Sequence, residues 1–92
     1  MSQFEQSPLA VAAALAAPGP ARPILVDCRE PAEWAAARIP GAVHLPLGVI
    51  AAGIAAVAPD REAPLIVYCA AGVRSLAAVA QLRAVGYGDV FS

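Results

Sequence analysis

The segment Val67-Tyr68-Cys69-Ala70-Ala71-Gly72-Val73-Arg74-Ser75 places a thiol, a run of small residues, an arginine and a hydroxyl in close succession. The small side chains of Ala70, Ala71 and Gly72 let the backbone curl tightly. Successive N–H groups, including that of Val73, then point into the concavity and form an anion nest. A helix expected from Ser75 adds the positive end of its dipole. Arg74 adds a full positive charge. All three effects favour thiolate over thiol. A free cysteine has a pKa near 8.5, and such settings lower it to about 3.5–7.5. The chemistry implied is a nucleophile active at neutral pH without a histidine base. That fits a chain whose only histidine is His44.

Each of these residues also has a plainer reading. Cys69 would be a strand-end thiol that merely packs. Arg74 would be a solvated residue at a helix start, where a cation opposes the dipole unless an anion is near. The amides of 70–73 would belong to an ordinary strand-to-helix loop, and Ser75 would be an N-cap. The combination in one loop favours the functional reading of Cys69 and Arg74. Asp27 and Arg29, at the end of an earlier apolar run, are expected to form a local ion pair that supports the pocket. Glu30 and Glu33 are further candidate partners there, and Arg29 is a candidate for the pocket mouth. Cys28 occupies an apolar slot and is expected to pack. His44 and Trp34 are expected to be structural or surface residues.

The elements that must position the loop can be read from periodicity. Residues 24–28 and 65–69 are continuous apolar runs, which suit strands covered on both faces. Residues 4–6, 42–45 and 90–91 are weaker strand candidates. Helices are expected over 8–17, 31–37, 47–57 and 75–84. The first stops at Pro18-Gly19-Pro20. In the third, Leu47, Ile50, Ile54 and Val57 form one stripe. Gly86 is placed to stop the last. Alternating strands and helices imply an α/β fold with a parallel sheet. Ligands in such sheets sit beyond the carboxyl ends of the strands, where both cysteines fall.

Composition narrows the function classes. The chain has 92 residues, so it is expected to be a single domain over 1–92. Its net charge is −1, and all six basic residues are arginines. That is no footprint for nucleic acid or for a polybasic membrane contact. Alanine supplies 24 of the 92 residues, so the core rests on fewer large side chains than the apolar fraction suggests. Two cysteines with no His/Cys cluster exclude a disulfide scaffold and a zinc site, and no metal or cofactor is expected. Residues 9–17 lack the basic flank of a signal peptide. Residues 39–59 are too rich in proline and glycine to span a bilayer. The expectation is a soluble, cytoplasmic protein.

Cys69-x-x-Gly72-x-Arg74-Ser75 resembles the active-site loop of single-domain rhodanese-like sulfurtransferases. Asp27-Cys28-Arg29-Glu30 with Glu33-Trp34, Ile39-Pro40-Gly41-Ala42 with Leu45-Pro46-Leu47, and Leu82 with Gly86-Tyr87 extend the resemblance over about residues 24–91. It implies a rhodanese-like parallel sheet of about five strands, flanked by helices, with the loop after the fourth strand. It implies sulfur transfer: Cys69 takes the sulfane sulfur of thiosulfate or another persulfide donor, and cyanide or a thiol accepts it. Ala70, Ala71, Gly72, Val73, Arg74 and Ser75 would bind the substrate and the persulfide. A persulfide-exchanging protein is a further candidate partner. The alternatives are a persulfide-carrier or interaction module, and the dual-specificity phosphatases and arsenate reductases that share the fold. Those two enzyme classes use a loop one residue longer than the six residues from Cys69 to Arg74. The family pattern departs at two points. Ala37-Arg38 stands where the family has Gly-His, and the family's usual final turn and helix are not found before Ser92, which suggests a truncated end and reduced stability.

Overall fold

The computed structural model describes residues 8–16, 19 and 22–92. Strands β1 (Ile24–Asp27), β2 (Val43–His44), β3 (Leu65–Tyr68) and β4 (Val90–Phe91) form one sheet in the order β2-β1-β3-β4. All three pairings are parallel. Helices α1 (Pro8–Leu15), α2 (Pro31–Ala36), α3 (Ile50–Val57) and α4 (Val73–Ala84) flank it. The α/β reading therefore holds. The sheet has four strands among the described residues, and the strand expected at 4–6 lies outside them. The loop that carries Cys69 follows β3 here.

The winding explains where a site can form. The chain leaves β1 toward β2 on one side, and leaves β3 toward β4 on the other. The direction reverses between β1 and β3, so the loops leaving their carboxyl ends diverge and open a crevice. Asp27 and Tyr68, the last residues of those strands, are register partners. Residues 27–29 and 69–75 are thereby brought to one end of the sheet.

Strand side chains alternate between faces. Val26, Leu65, Val67 and Val90 enter a core shared with Ile50, Ile54, Ala78, Val79, Leu82 and Tyr87. Leu25 and Ile66 are buried on the opposite face, which is why the two central strands read as unbroken apolar runs. Cys28 belongs to the core cluster and Cys69 packs against it.

Several boundaries differ from expectation, each for a local reason. The helix expected over 47–57 opens as a 3-10 turn, Leu47–Val49, before α3 begins at Ile50. Pro46 accepts the Val49 amide at 2.9 Å, an i to i+3 bond that tightens this turn. The stripe is nonetheless right: Ile50 and Ile54 are buried, and Leu47 and Val57 pack against the core. Helix α4 ends as foreseen at Gly86, whose φ is 105°. The Gly86 amide bonds the Arg83 carbonyl at 3.1 Å, and the Tyr87 amide bonds that of Leu82 at 3.0 Å. That pair of bonds is a Schellman motif, and it turns Tyr87 into the core beside Leu82. Among the described residues, no helix is long and apolar enough to cross a membrane.

Candidate active site

Cys69 leaves the end of β3 and its sulfur lies under the first turn of α4. The Gly72 amide donates to Sγ at 3.1 Å, and the Ser75 amide donates at 3.3 Å. Helix α4 begins at Val73, two residues before the expected start, with Gly72 as its N-cap. Ser75 is thus the third helical residue and not the cap. Its amide is one of the orphan donors of a helix start, which an N-cap side-chain oxygen ordinarily accepts. Gly72 has no side chain to do so, and the Cys69 sulfur takes that place. Gly72 has φ 85°, a left-handed conformation that glycine adopts without penalty. It folds the loop back so that its own amide faces the sulfur.

The Ser75 hydroxyl is 3.5 Å from Sγ and also donates to the Gly72 carbonyl at 3.1 Å. The Ser92 hydroxyl lies 2.7 Å from it. With Cys69 neutral, the thiol donates to Ser75. Once the sulfur is ionised, the Ser75 proton can turn to it. Partial burial on its own pushes the Cys69 thiol up. Hydrogen bonds from the Ser75 hydroxyl and from the amides of Ser75, Ala71 and Gly72 outweigh it, and the net direction is down. Cys28 goes the other way. Burial, with a smaller push from nearby Cys69, raises its thiol to about 11. The Cys28 sulfur is fully enclosed against the Tyr68 carbonyl at 3.4 Å, as expected of a packing residue.

Arg74 corrects an expectation. It does not extend a free charge to the sulfur. Its guanidinium grips Glu33 of α2, Nη1 to Oε1 at 2.6 Å and Nη2 to Oε2 at 3.0 Å. Glu33 also accepts the Glu30 amide at 3.0 Å, which closes the first turn of α2. The Arg74 guanidinium, helped by the Glu30 amide, holds the Glu33 carboxyl at about 2. The cation placed unfavourably at a helix start is therefore compensated by a carboxylate from another helix, and the amides remain as the donors on Sγ.

Asp27 and Arg29 pair as expected. Asp27 is fully buried, and Arg29 meets it with Nη2 to Oδ2 at 2.8 Å and Nε to Oδ1 at 3.0 Å. Burial pushes the Asp27 carboxyl up, but the Arg29 bonds prevail and hold it below the usual range. Arg29 also donates to the Ala37 carbonyl at 2.6 Å. Its hydrogen bonds go to Asp27 and Ala37, and Glu33 acts on it through charge alone. Tyr68, which the sequence left unremarked, accepts the Ile39 amide at 3.4 Å and ties the segment after α2 to the end of β3. His44 and Trp34 stack with centroids 4.8 Å apart, and His44 Nε2 lies 2.8 Å from the Arg29 carbonyl.

Above the sulfur lies a cleft of about 260 Å³ lined by Arg29, Ala37, Arg38, Ile39, Tyr68, Cys69 and Ala70. Arg29, the candidate for the mouth, is among the residues that line this cleft. A larger cleft of about 420 Å³, lined by residues that include Leu15, Pro23, Leu25 and Pro40, holds neither Cys69 nor the loop. The smaller cleft is the one with the Cys69 thiol in its wall. Among the described residues no group of His, Cys, Asp and Glu side chains could hold a metal ion.

Fold and site define a parallel α/β domain with an amide-cradled cysteine at the switch point of its sheet. The rhodanese-like domain family matches residues 7–92, and the chain belongs to it. It is 38% identical over 92 residues to the thiosulfate sulfurtransferase GlpE of Pseudomonas fluorescens, covering all of this chain and 80% of that one. It is 41% identical over 69 residues to a sulfurtransferase of Allochromatium vinosum, across 75% of this chain and 63% of the relative's length. Among solved structures, human single-domain sulfurtransferase TSTD1 superposes with TM-score 0.81 at 27% identity, covering 98% of this chain and 88% of that one. A rhodanese with anions from E. coli gives TM-score 0.73 at 32% identity over 75% of this chain and 81% of that one.

Proposed function

We propose that this protein is a thiosulfate sulfurtransferase working through a persulfide on Cys69. The Cys69 thiolate attacks the outer sulfur of thiosulfate. The sulfur–sulfur bond of the donor breaks, and sulfite leaves with its electron pair. Cys69 then carries a persulfide whose terminal sulfur is anionic. Cyanide or a thiol attacks that sulfur, and the thiolate returns, which is a ping-pong scheme. The observation that carries this reading is the pair of amides on Sγ at 3.1 and 3.3 Å. They stabilise negative charge on the attacking sulfur, and the concavity they line suits the anionic persulfide as well. The anions of the E. coli neighbour accord with an anionic donor. In this reading 70–75 are the binding loop, and Asp27 and Arg29 brace the cleft. A pair of free thiols suits the reducing cytoplasm, which we propose as the compartment.

The loop length argues against oxyanion-ester hydrolysis. The related phosphatases and arsenate reductases enclose a tetrahedral oxyanion with a loop one residue longer than the six residues from Cys69 to Arg74. The experiment is mass spectrometry after thiosulfate treatment. The wild-type protein is expected to gain one sulfur atom on the Cys69 peptide and to lose it to cyanide as thiocyanate. Cys69→Ser is expected to gain nothing. A wild-type protein that stays unmodified would overturn sulfur transfer and favour an interaction module.

A further inference from the structure

Three arginines surround the Cys69 loop and its cleft, and two of them are already neutralised within the protein. Arg74 is bound twice by Glu33. Arg29 is bound by buried Asp27 and by the Ala37 carbonyl. Arg38 is different. It lines the same cleft as Cys69, and among the described residues no carboxylate pairs with it. What holds it is the face of Trp34, with the guanidinium carbon 4.5 Å from the ring centroid. Trp34 is in turn backed by the His44 ring, stacked at 4.8 Å and 8°. His44 is fixed by its contact with the Arg29 carbonyl at 2.8 Å. A stack of this kind fixes a guanidinium without neutralising it. The edge of Arg38 keeps its donors and its whole charge.

The reaction proposed above brings an anion to a thiolate, and the two repel. A single unneutralised cation at the rim offsets that repulsion and orients the donor's oxygens away from the sulfur to be attacked. We infer that Arg38, held on the Trp34–His44 stack, is the anion-recognising residue of the Cys69 cleft and selects donors with a negatively charged end beside the transferable sulfur. This rests on the sulfurtransferase reading and assigns to Arg38 the donor-holding part that the sequence suggested for Arg74.

The test compares alkylation of Cys69 by iodoacetate and iodoacetamide, which share size and leaving group and differ in charge, with thiosulfate kinetics in parallel. Arg38→Gln is expected to slow iodoacetate roughly fivefold, the factor for one charge at a few ångströms in water, and to leave iodoacetamide nearly unchanged. The same variant raises KM for thiosulfate by a similar factor with a smaller change in kcat. Arg38→Lys, which keeps the charge, retains most of the iodoacetate preference. An iodoacetate-to-iodoacetamide ratio equal in wild type and Arg38→Gln would overturn the inference, even where thiosulfate still loads the wild-type protein. A ratio that falls in a protein thiosulfate never loads would uphold the anion site and sink the sulfurtransferase reading instead.

Discussion

Two cysteines on the same face of one sheet have opposite chemistry because of what lies within hydrogen-bond reach. Cys28 is enclosed by the core and its thiol is pushed up to about 11. Cys69 meets the amides of Gly72 and Ser75 and is drawn down. Alkylation of the folded protein at neutral pH, followed by peptide mapping, is expected to label Cys69 and leave Cys28 untouched. Comparable labelling of both would contradict the contrast. At this scale the sequence showed much of the site. A thiol, small residues, glycine and a hydroxyl within one loop constrain each other locally, and Asp27 and Arg29 are only two positions apart. It did not show that the sulfur itself caps the helix. The usual signs of a helix start are Ser, Thr, Asp or Asn at the N-cap, so Ser75 drew that role, while an acceptor three residues before Gly72 gives no such sign.

At the scale of elements, α2 and α4 are coupled through Glu33 and Arg74. These partners are 41 residues apart. Their meeting depends on how two helices settle against one sheet, which no local pattern reports. The same holds for Tyr68 and Ile39, 29 apart. The coupling has a pH signature. Glu33 titrates at about 2 when folded, below its ordinary 4.5. A carboxylate with a depressed folded value adds stability that is whole above the ordinary value and is lost as pH falls through the folded one. Thermal melts are therefore expected to show Glu33→Gln less stable than wild type at neutral pH. The gap is expected to close as pH falls from about 4.5 to about 2. The effect is small, since the two side chains are 32% and 33% exposed and solvent screens them. A gap that stays constant with pH would break the link between this pair and the stability of the fold.

At the scale of the molecule, a small alanine-rich chain holds its site at one end of a sheet whose core rests on few large side chains. The parallel order was legible because apolar runs and helical stripes alternate along the chain. The helix starts near 47 and 73 were not, because a 3-10 turn and a left-handed glycine shifted them. Ile54 of α3 is 1% exposed within the shared core. Ile54→Ala is expected to cost about 2–5 kcal/mol, a large share of the roughly 5–15 kcal/mol typical of a domain. Urea denaturation measures it, and a loss under about 1 kcal/mol would show a core looser than this packing implies. The site does not lean on Ile54, so Cys69 reactivity in the folded fraction is expected to persist. What the whole fold delivers to that site is a cysteine drawn below its ordinary pKa by the Ser75 hydroxyl and by main-chain amides. The most direct measurement is the titration of the ultraviolet thiolate band of the folded protein, with Cys69→Ser subtracted. The expected midpoint lies below that of an ordinary cysteine and rises in Ser75→Ala. A wild-type midpoint at or above that of an ordinary cysteine would contradict the account.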